Sequence, residues 1–238
     1  MPIADTASYG IMSLETLEAV LRQVLTASAQ SCAILFQGGE PTLAGLPFFQ
    51  EAVRLSRQLN RNGCRISFAL QTNGLLIDED WCQFLAENRF LVGVSLDGTK
   101  DIHDANRVDA LGNGTYSRVM HALQLLRNYR VDTNILTVIT SGTAQSYQKI
   151  HDFYAHNGYT YQQYIPCLDP LGEERGQHSW SLTPPRRRNA SPANGGACAG
   201  AAAAGTGTIL RQGSKRTTTV PPIARFSHRR GPPHCSWS

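Results

Sequence analysis

The chain has 238 residues, of which 41% are apolar and 17% charged, with a formal net charge of +4 at pH 7. That length accommodates one α/β domain or two small ones, and the apolar share is enough for a core, which excludes wholesale disorder. No apolar run approaches the ~20 residues that span a bilayer, and Met1 to Asp5 carry neither the basic nor the apolar region of a secretory signal; the expectation is a cytoplasmic protein with no membrane segment.

The predicted elements alternate along the chain. Ser13 caps a helix with Leu14, Leu17, Leu21, Val24 and Leu25 on one face. Cys32 to Phe36 is an apolar run of the length of a buried parallel strand, and it ends in Gly38-Gly39. Pro47 suits a first helical turn, followed by Phe49, Ala52, Val53 and Leu59, and Asn62-Gly63 stops that helix. Arg65 to Leu70 reads as a strand, and Gln71 to Gly74 as the loop after it. Asp78 caps a helix with Trp81, Phe84 and Leu85, and Leu91 to Ser95 is a strand closed by Asp97-Gly98. His103 to Arg107 then reads as a loop. Thr115 caps a helix with Val119, Met120, Leu123 and Leu126, and Thr133 to Ile139 is a strand. Ala144 to His156 is a helix, and Tyr159 to Ile165 a last strand. Such alternation predicts an α/β fold: a parallel sheet with right-handed crossovers, open or curled into a barrel. It begins with a helix, so the expectation is a sheet lacking its first strand, with an unpaired edge there.

The charge is unevenly placed. Residues 1–184 hold 13 Lys and Arg against 18 Asp and Glu, whereas residues 185–238 hold nine Lys and Arg and no acid. The second segment is rich in Ala, Gly, Pro and Arg, without a period of 2 or 3.6. Such a composition buries too little surface to offset chain entropy, so a disordered basic tail is one reading. These residue types also share GC-rich codons, so a gene read out of frame is another, and it is preferred. Both are preferred to a nucleic-acid-binding arm. The expected organisation is therefore a domain over 1–184 and a separate segment over 185–238.

In parallel sheets, ligands bind at the C-terminal ends of the strands, and the informative residues fall there. Taken singly, Gly38-Gly39 is a turn, Asn73-Gly74 another, Ser95 a strand end and Arg107 a surface charge. Taken together and in order, Phe36 to Leu43, Gln71 to Gly74, Val94 to Gly98, His103 to Arg107 and Cys167 to Leu171 are more specific. From about Ser8 to Pro184 they resemble the radical S-adenosylmethionine enzymes, and within them the anaerobic sulfatase-maturating enzymes.

That resemblance implies a partial (β/α) barrel in which a [4Fe–4S] cluster splits S-adenosylmethionine. The radical formed oxidises a Cys or Ser of a sulfatase polypeptide to formylglycine. It further implies that Gly39 meets the methionine amino group through backbone, that Ser95 bonds the ribose, that Arg107 pairs with the carboxylate, and that Leu168 presents backbone to the adenine. Each role suits its residue type, since an ammonium wants carbonyl acceptors and a carboxylate a guanidinium fork.

One departure stands against the resemblance. The family holds its cluster by Cys-x-x-x-Cys-x-x-Cys, whose three thiolates leave one iron position open. This sequence has six cysteines and no Cys-x-x-Cys pair. No metal ligand is therefore assigned, and buried thiols in a reducing compartment are the expectation. The resulting picture is the middle of a radical enzyme, truncated at its start and inactive as it stands. Two alternatives remain: a module that binds S-adenosylmethionine without chemistry, and an unrelated phosphate- or sugar-binding α/β barrel enzyme.

Overall fold

The computed structural model describes residues 10–169, 179–182, 209–211 and 224–226. Helix α1, Leu14–Ala27, starts where the Ser13 hydroxyl accepts the Thr16 amide at 3.2 Å. Its Leu17, Leu21 and Leu25 stack on one face and are buried against the sheet and its neighbour helix. The chain then alternates: β1 Ser31–Phe36, a 3-10 turn over Pro41–Ala44, α2 Leu46–Leu59, β2 Arg65–Thr72, α3 Glu79–Glu87, β3 Leu91–Ser95, α4 Lys100–Asn106, α5 Tyr116–Asn128, β4 Asp132–Ile139, α6 Ser141–Gln145, α7 Tyr147–His156 and β5 Tyr161–Pro166.

Strands β1 to β5 pair in sequence order, all parallel. They form a curled half-barrel, one of the two arrangements the alternation allows and the one the family resemblance implies. One consequence decides where chemistry can occur: the C-terminal ends of all five strands lie along one edge. The core joins the helical faces to the sheet through an aromatic cluster. Phe49, fully buried on α2, lies 4.8 Å from Phe36 and 5.0 Å from Trp81 between ring centroids. Phe68 stacks on Phe90 at 5.1 Å.

Several elements differ from expectation. The helix placed over Ala144 to His156 is two helices, because Thr140 and Thr143 form a reciprocal capping box that starts α6 early and Ser146 divides it from α7. The residues read as a loop before Arg107 form α4, too short to show a helical period. Thr115 precedes α5 but makes no side-chain cap; its hydroxyl is engaged elsewhere.

The acid-free segment contributes two further strands, β6 Ile209–Arg211 and β7 Ala224–Phe226. β6 runs antiparallel beside β5, and β7 runs parallel beside Ile34–Phe36 of β1. The β1 edge expected to be unpaired therefore carries a strand over half its length. The rest of residues 185–238, and with it the expectation of disorder there, lies outside the described residues. No helix among the described residues is long and apolar enough to cross a membrane.

Candidate cofactor-binding edge

The loop after β1 turns on two glycines with positive φ, Gly38 at 109° and Gly39 at 50°. At Gly39 a Cβ would meet nothing within 4 Å, so the backbone faces open space. The next residue ties this loop to the one after β2. The Glu40 carboxylate accepts the Thr42 amide at 3.0 Å, the Thr42 hydroxyl at 2.6 Å, the Thr72 hydroxyl at 2.8 Å and the Asn73 amide at 2.7 Å. Four donors on one carboxylate fix both loops as a unit. The Asn73 side chain in turn accepts the Leu75 amide at 2.9 Å, the local bond that makes Asn-Gly a turn.

Ser95 ends β3 and is half-buried. Two residues on, Asp97 is buried, and its Oδ1 accepts the Val138 amide of β4 at 2.8 Å. Arg107 caps the C-terminus of α4 and is only 4% exposed. Its Nε donates to Asp97 Oδ2 at 2.6 Å and its Nη2 to Oδ1 at 3.3 Å. The commoner reading of Arg107, a solvated surface charge, is thus excluded by its burial and its partner. Leu168 follows β5 and is 57% exposed. Its backbone is laid along the same edge by its neighbour: the Cys167 amide donates to Ile139 O at 2.9 Å, and Cys167 O accepts the Leu182 amide at 2.8 Å. Gly39, Ser95, Arg107 and Leu168 thus all stand at or just beyond the C-terminal ends of the strands.

His103, in the stretch read from sequence as a loop, is fully buried within α4. Its Nδ1 accepts the Asp97 amide at 3.2 Å, which assigns the ring proton to Nε2, 3.0 Å from the Thr115 hydroxyl. That hydroxyl donates onward to Arg107 O at 3.2 Å. Burial, then the Arg107 charge, lowers the His103 pKa to about 4 from 6.5, against the opposing pull of Asp97 and Asp104. The unfolded chain therefore takes up a proton that the fold refuses between these values. Stability from this group is complete above pH ~6.5 and falls as the pH drops towards 4, by about 3 kcal/mol. Urea unfolding from pH 7 to 4 should show this slope, and His103→Gln should flatten it. An unchanged slope in the variant would place the pH dependence elsewhere.

Sequence reasoning quoted Glu40 and Asp97 only as motif and turn residues. The structure makes them the residues that hold the site together. The signal was available: each is an acid beside glycine at a strand end, where exposed backbone amides need an acceptor.

The edge fits S-adenosylmethionine in its donor chemistry, offering open glycine backbone, a hydroxyl, a held guanidinium and exposed backbone after β5. It does not fit an iron–sulfur cluster. Among the described residues no three His, Cys, Asp or Glu side chains gather to hold a metal ion. Cys32, Cys64 and Cys82 are buried, and burial raises the Cys82 thiol to about 11 and raises Cys32 as well, which keeps both protonated. A cavity of about 330 Å³ opens at the other end of the sheet, between Arg127, Arg130, Asp132 and Tyr159. It contains none of the residues at issue, and the strand-end geometry outweighs its size.

Comparison with known proteins bears on this edge. Over 180 residues the chain is 48% identical to a cysteine-type anaerobic sulfatase-maturating enzyme of Clostridium perfringens, covering 76% of this chain and 49% of that protein. It is 36% identical over 167 residues to a serine-type anaerobic sulfatase-maturating enzyme of Klebsiella aerogenes, covering 69% and 41%. The solved structure of native anSMEcpe with bound AdoMet and Cp18Cys peptide superposes with a TM-score of 0.72 at 48% identity, over 74% of this chain and 49% of that one. The chain spans about half the length of the curated relatives it matches. A family model for the Radical SAM superfamily matches residues 5–156, and the chain belongs to that superfamily.

Proposed function

We propose that this chain carries the S-adenosylmethionine-binding part of an anaerobic sulfatase-maturating enzyme, whose substrate is a sulfatase polypeptide. The observation that carries this reading is the 48% identity over 180 residues to a cysteine-type maturase. The gathering of Gly39, Ser95, Arg107 and Leu168 on one edge supports it. The lower identity to the serine-type relative, 36%, favours a cysteine as the residue oxidised to formylglycine.

In this reading the cofactor supplies a radical that abstracts hydrogen, and the chain binds and orients it. Backbone carbonyls at Gly38-Gly39 accept from the ammonium group. The Ser95 hydroxyl bonds the ribose, Arg107 donates to the carboxylate through Nη1, and the Leu168 backbone meets the adenine edge. The composition changes after Pro184, and the strands Ile209–Arg211 and Ala224–Phe226 of the acid-free segment join the same sheet at its two edges. Among the described residues no donor set for the family's [4Fe–4S] cluster gathers, so the role read here for this chain is to bind and orient the cofactor.

Without cluster iron to ligate the amino and carboxylate groups, affinity rests on one charge-assisted bond and a few neutral ones, worth ~1.5–3 and ~0.5–1.5 kcal/mol each. Immobilising the ligand offsets part of this, giving an expected dissociation constant of roughly 0.1–1 mM. Calorimetry on the chain measures it, beside anaerobic reconstitution with iron and sulfide. The expected outcome is weak binding and no stable cluster absorbance. No binding at millimolar cofactor would contradict the assignment, and about four iron atoms per chain, as a [4Fe–4S] cluster would hold, would overturn the absence of cluster ligands.

A further inference from the structure

Arg107 is held at both ends by a closed ring of hydrogen bonds. At its head, Asp97 takes Nε at 2.6 Å and Nη2 at 3.3 Å. At its backbone, the amide donates to His103 O at 2.8 Å, and the carbonyl accepts the Thr115 amide at 3.3 Å and hydroxyl at 3.2 Å. The ring closes through His103, which bonds Thr115 at Nε2 and the Asp97 amide at Nδ1. Asp97 is itself anchored to β4 by the Val138 amide. Every member of the ring is buried. Among the described residues, Nη1 of Arg107 makes no hydrogen bond.

A guanidinium normally meets a carboxylate with two parallel N–H groups. Here Asp97 occupies the Nε–Nη2 side, so the donors left to a ligand are both N–H groups of Nη1 and the second N–H of Nη2. A lone arginine samples many rotamers, and ordering it on binding costs free energy. The ring removes that cost in advance, because the side chain is already in one place.

We propose that Asp97 and His103 are positioning residues, aiming Nη1 of Arg107 at the carboxylate of the bound S-adenosylmethionine. Asp97 sets the direction of the guanidinium, and His103, through Thr115 and the Asp97 amide, holds the two ends of the arrangement in register. The proposal rests on the reading of Arg107 as the carboxylate contact.

The test compares two probes on the whole chain by calorimetry: S-adenosylmethionine and its decarboxylated analogue, which keeps the ammonium, sulfonium and adenosine groups. A charge-assisted bond predicts that the wild type prefers the intact cofactor by roughly 10–100-fold. Asp97→Asn is expected to cut that preference to within about threefold, by weakening S-adenosylmethionine while leaving the analogue nearly unchanged. The ratio is insensitive to the folded fraction, because unfolding lowers both affinities alike. Asp97→Glu keeps the buried charge and covers the case in which the Asn variant fails to fold; it too should lose most of the preference, since its longer arm displaces Nη1. A preference kept in both variants, or equal loss of both ligands, overturns the positioning role. A wild type without preference overturns the reading of Arg107 itself, and the proposal with it.

Discussion

Arg107→Ala is expected to lower the free energy of unfolding by about 3–5 kcal/mol, a large share of what a domain of this size possesses. The cause is what the substitution leaves behind. Asp97 and Arg107 are 3% and 4% exposed, and only the Val138 amide would remain on the Asp97 carboxylate. A buried charge without its partner costs more than the pair was worth, because desolvation of the survivor is no longer offset. Asp97→Ala together with Arg107→Ala should therefore be less destabilising than the sum of the single changes. Urea unfolding of the three variants measures this. A loss below ~1 kcal/mol for Arg107→Ala would mean that the pair is solvated and behaves as a surface bridge. Loss of cofactor binding by Arg107→Ala is consequently meaningful only beside its stability, which is why the positioning test uses a ratio of ligands.

Gly98→Ala is expected to destabilise by about 2–5 kcal/mol, from two separate causes. Gly98 has φ of 88°, where an L side chain costs ~1–2 kcal/mol. A Cβ there would also lie 2.7 Å from Cγ1 of Ile150, which is fully buried on α7. Overpacking of that kind costs ~1–3 kcal/mol. Ile150→Ala removes both Cγ atoms, so it should cost less in the Gly98→Ala background than in the wild type, while the backbone cost at Gly98 stays. Gly39→Ala provides the contrast: φ is 50° and nothing stands within 4 Å, so only the backbone cost of ~1–2 kcal/mol remains. Thermal unfolding of Gly98→Ala and Gly39→Ala should rank them in that order. Equal losses would mean that Ile150 yields freely.

The two glycines show which parts of the molecule were legible in the sequence. Apolar periodicity located all five strands and the long helices, because these elements bury one face and the pattern records it. The Ser13 and Asp78 caps were readable for the same reason, since a short polar side chain before an apolar run has few other uses. Thr115 had another use: its hydroxyl bonds His103 and Arg107 rather than the start of α5. Short α4 and the break between α6 and α7 left no period to detect. At the candidate site, the sequence yielded Gly39, Ser95, Arg107 and Leu168 through a family resemblance, with local turn signals in support. What it could not yield was the partnership behind them. The bond between Asp97 and Arg107 spans a whole helix, and the bond between Glu40 and Thr72 joins two loops 32 residues apart. Such pairings follow from the curl of the sheet, which brings strand ends together only after the chain has folded. The strand over Ala224–Phe226 beside β1 was illegible for a different reason, because its surroundings have no apolar alternation to mark it.

The central claim is that S-adenosylmethionine binds at the C-terminal edge of the parallel sheet. Backbone amide chemical shifts of the isotope-labelled chain, recorded during titration with the cofactor, test it most directly. Shifts confined to Gly38, Gly39, Ser95, Arg107 and Leu168, with saturation in the submillimolar to millimolar range, are the predicted result. Shifts gathered instead around Arg127, Arg130, Gly158 and Tyr159, which line the cavity at the opposite end, would contradict it.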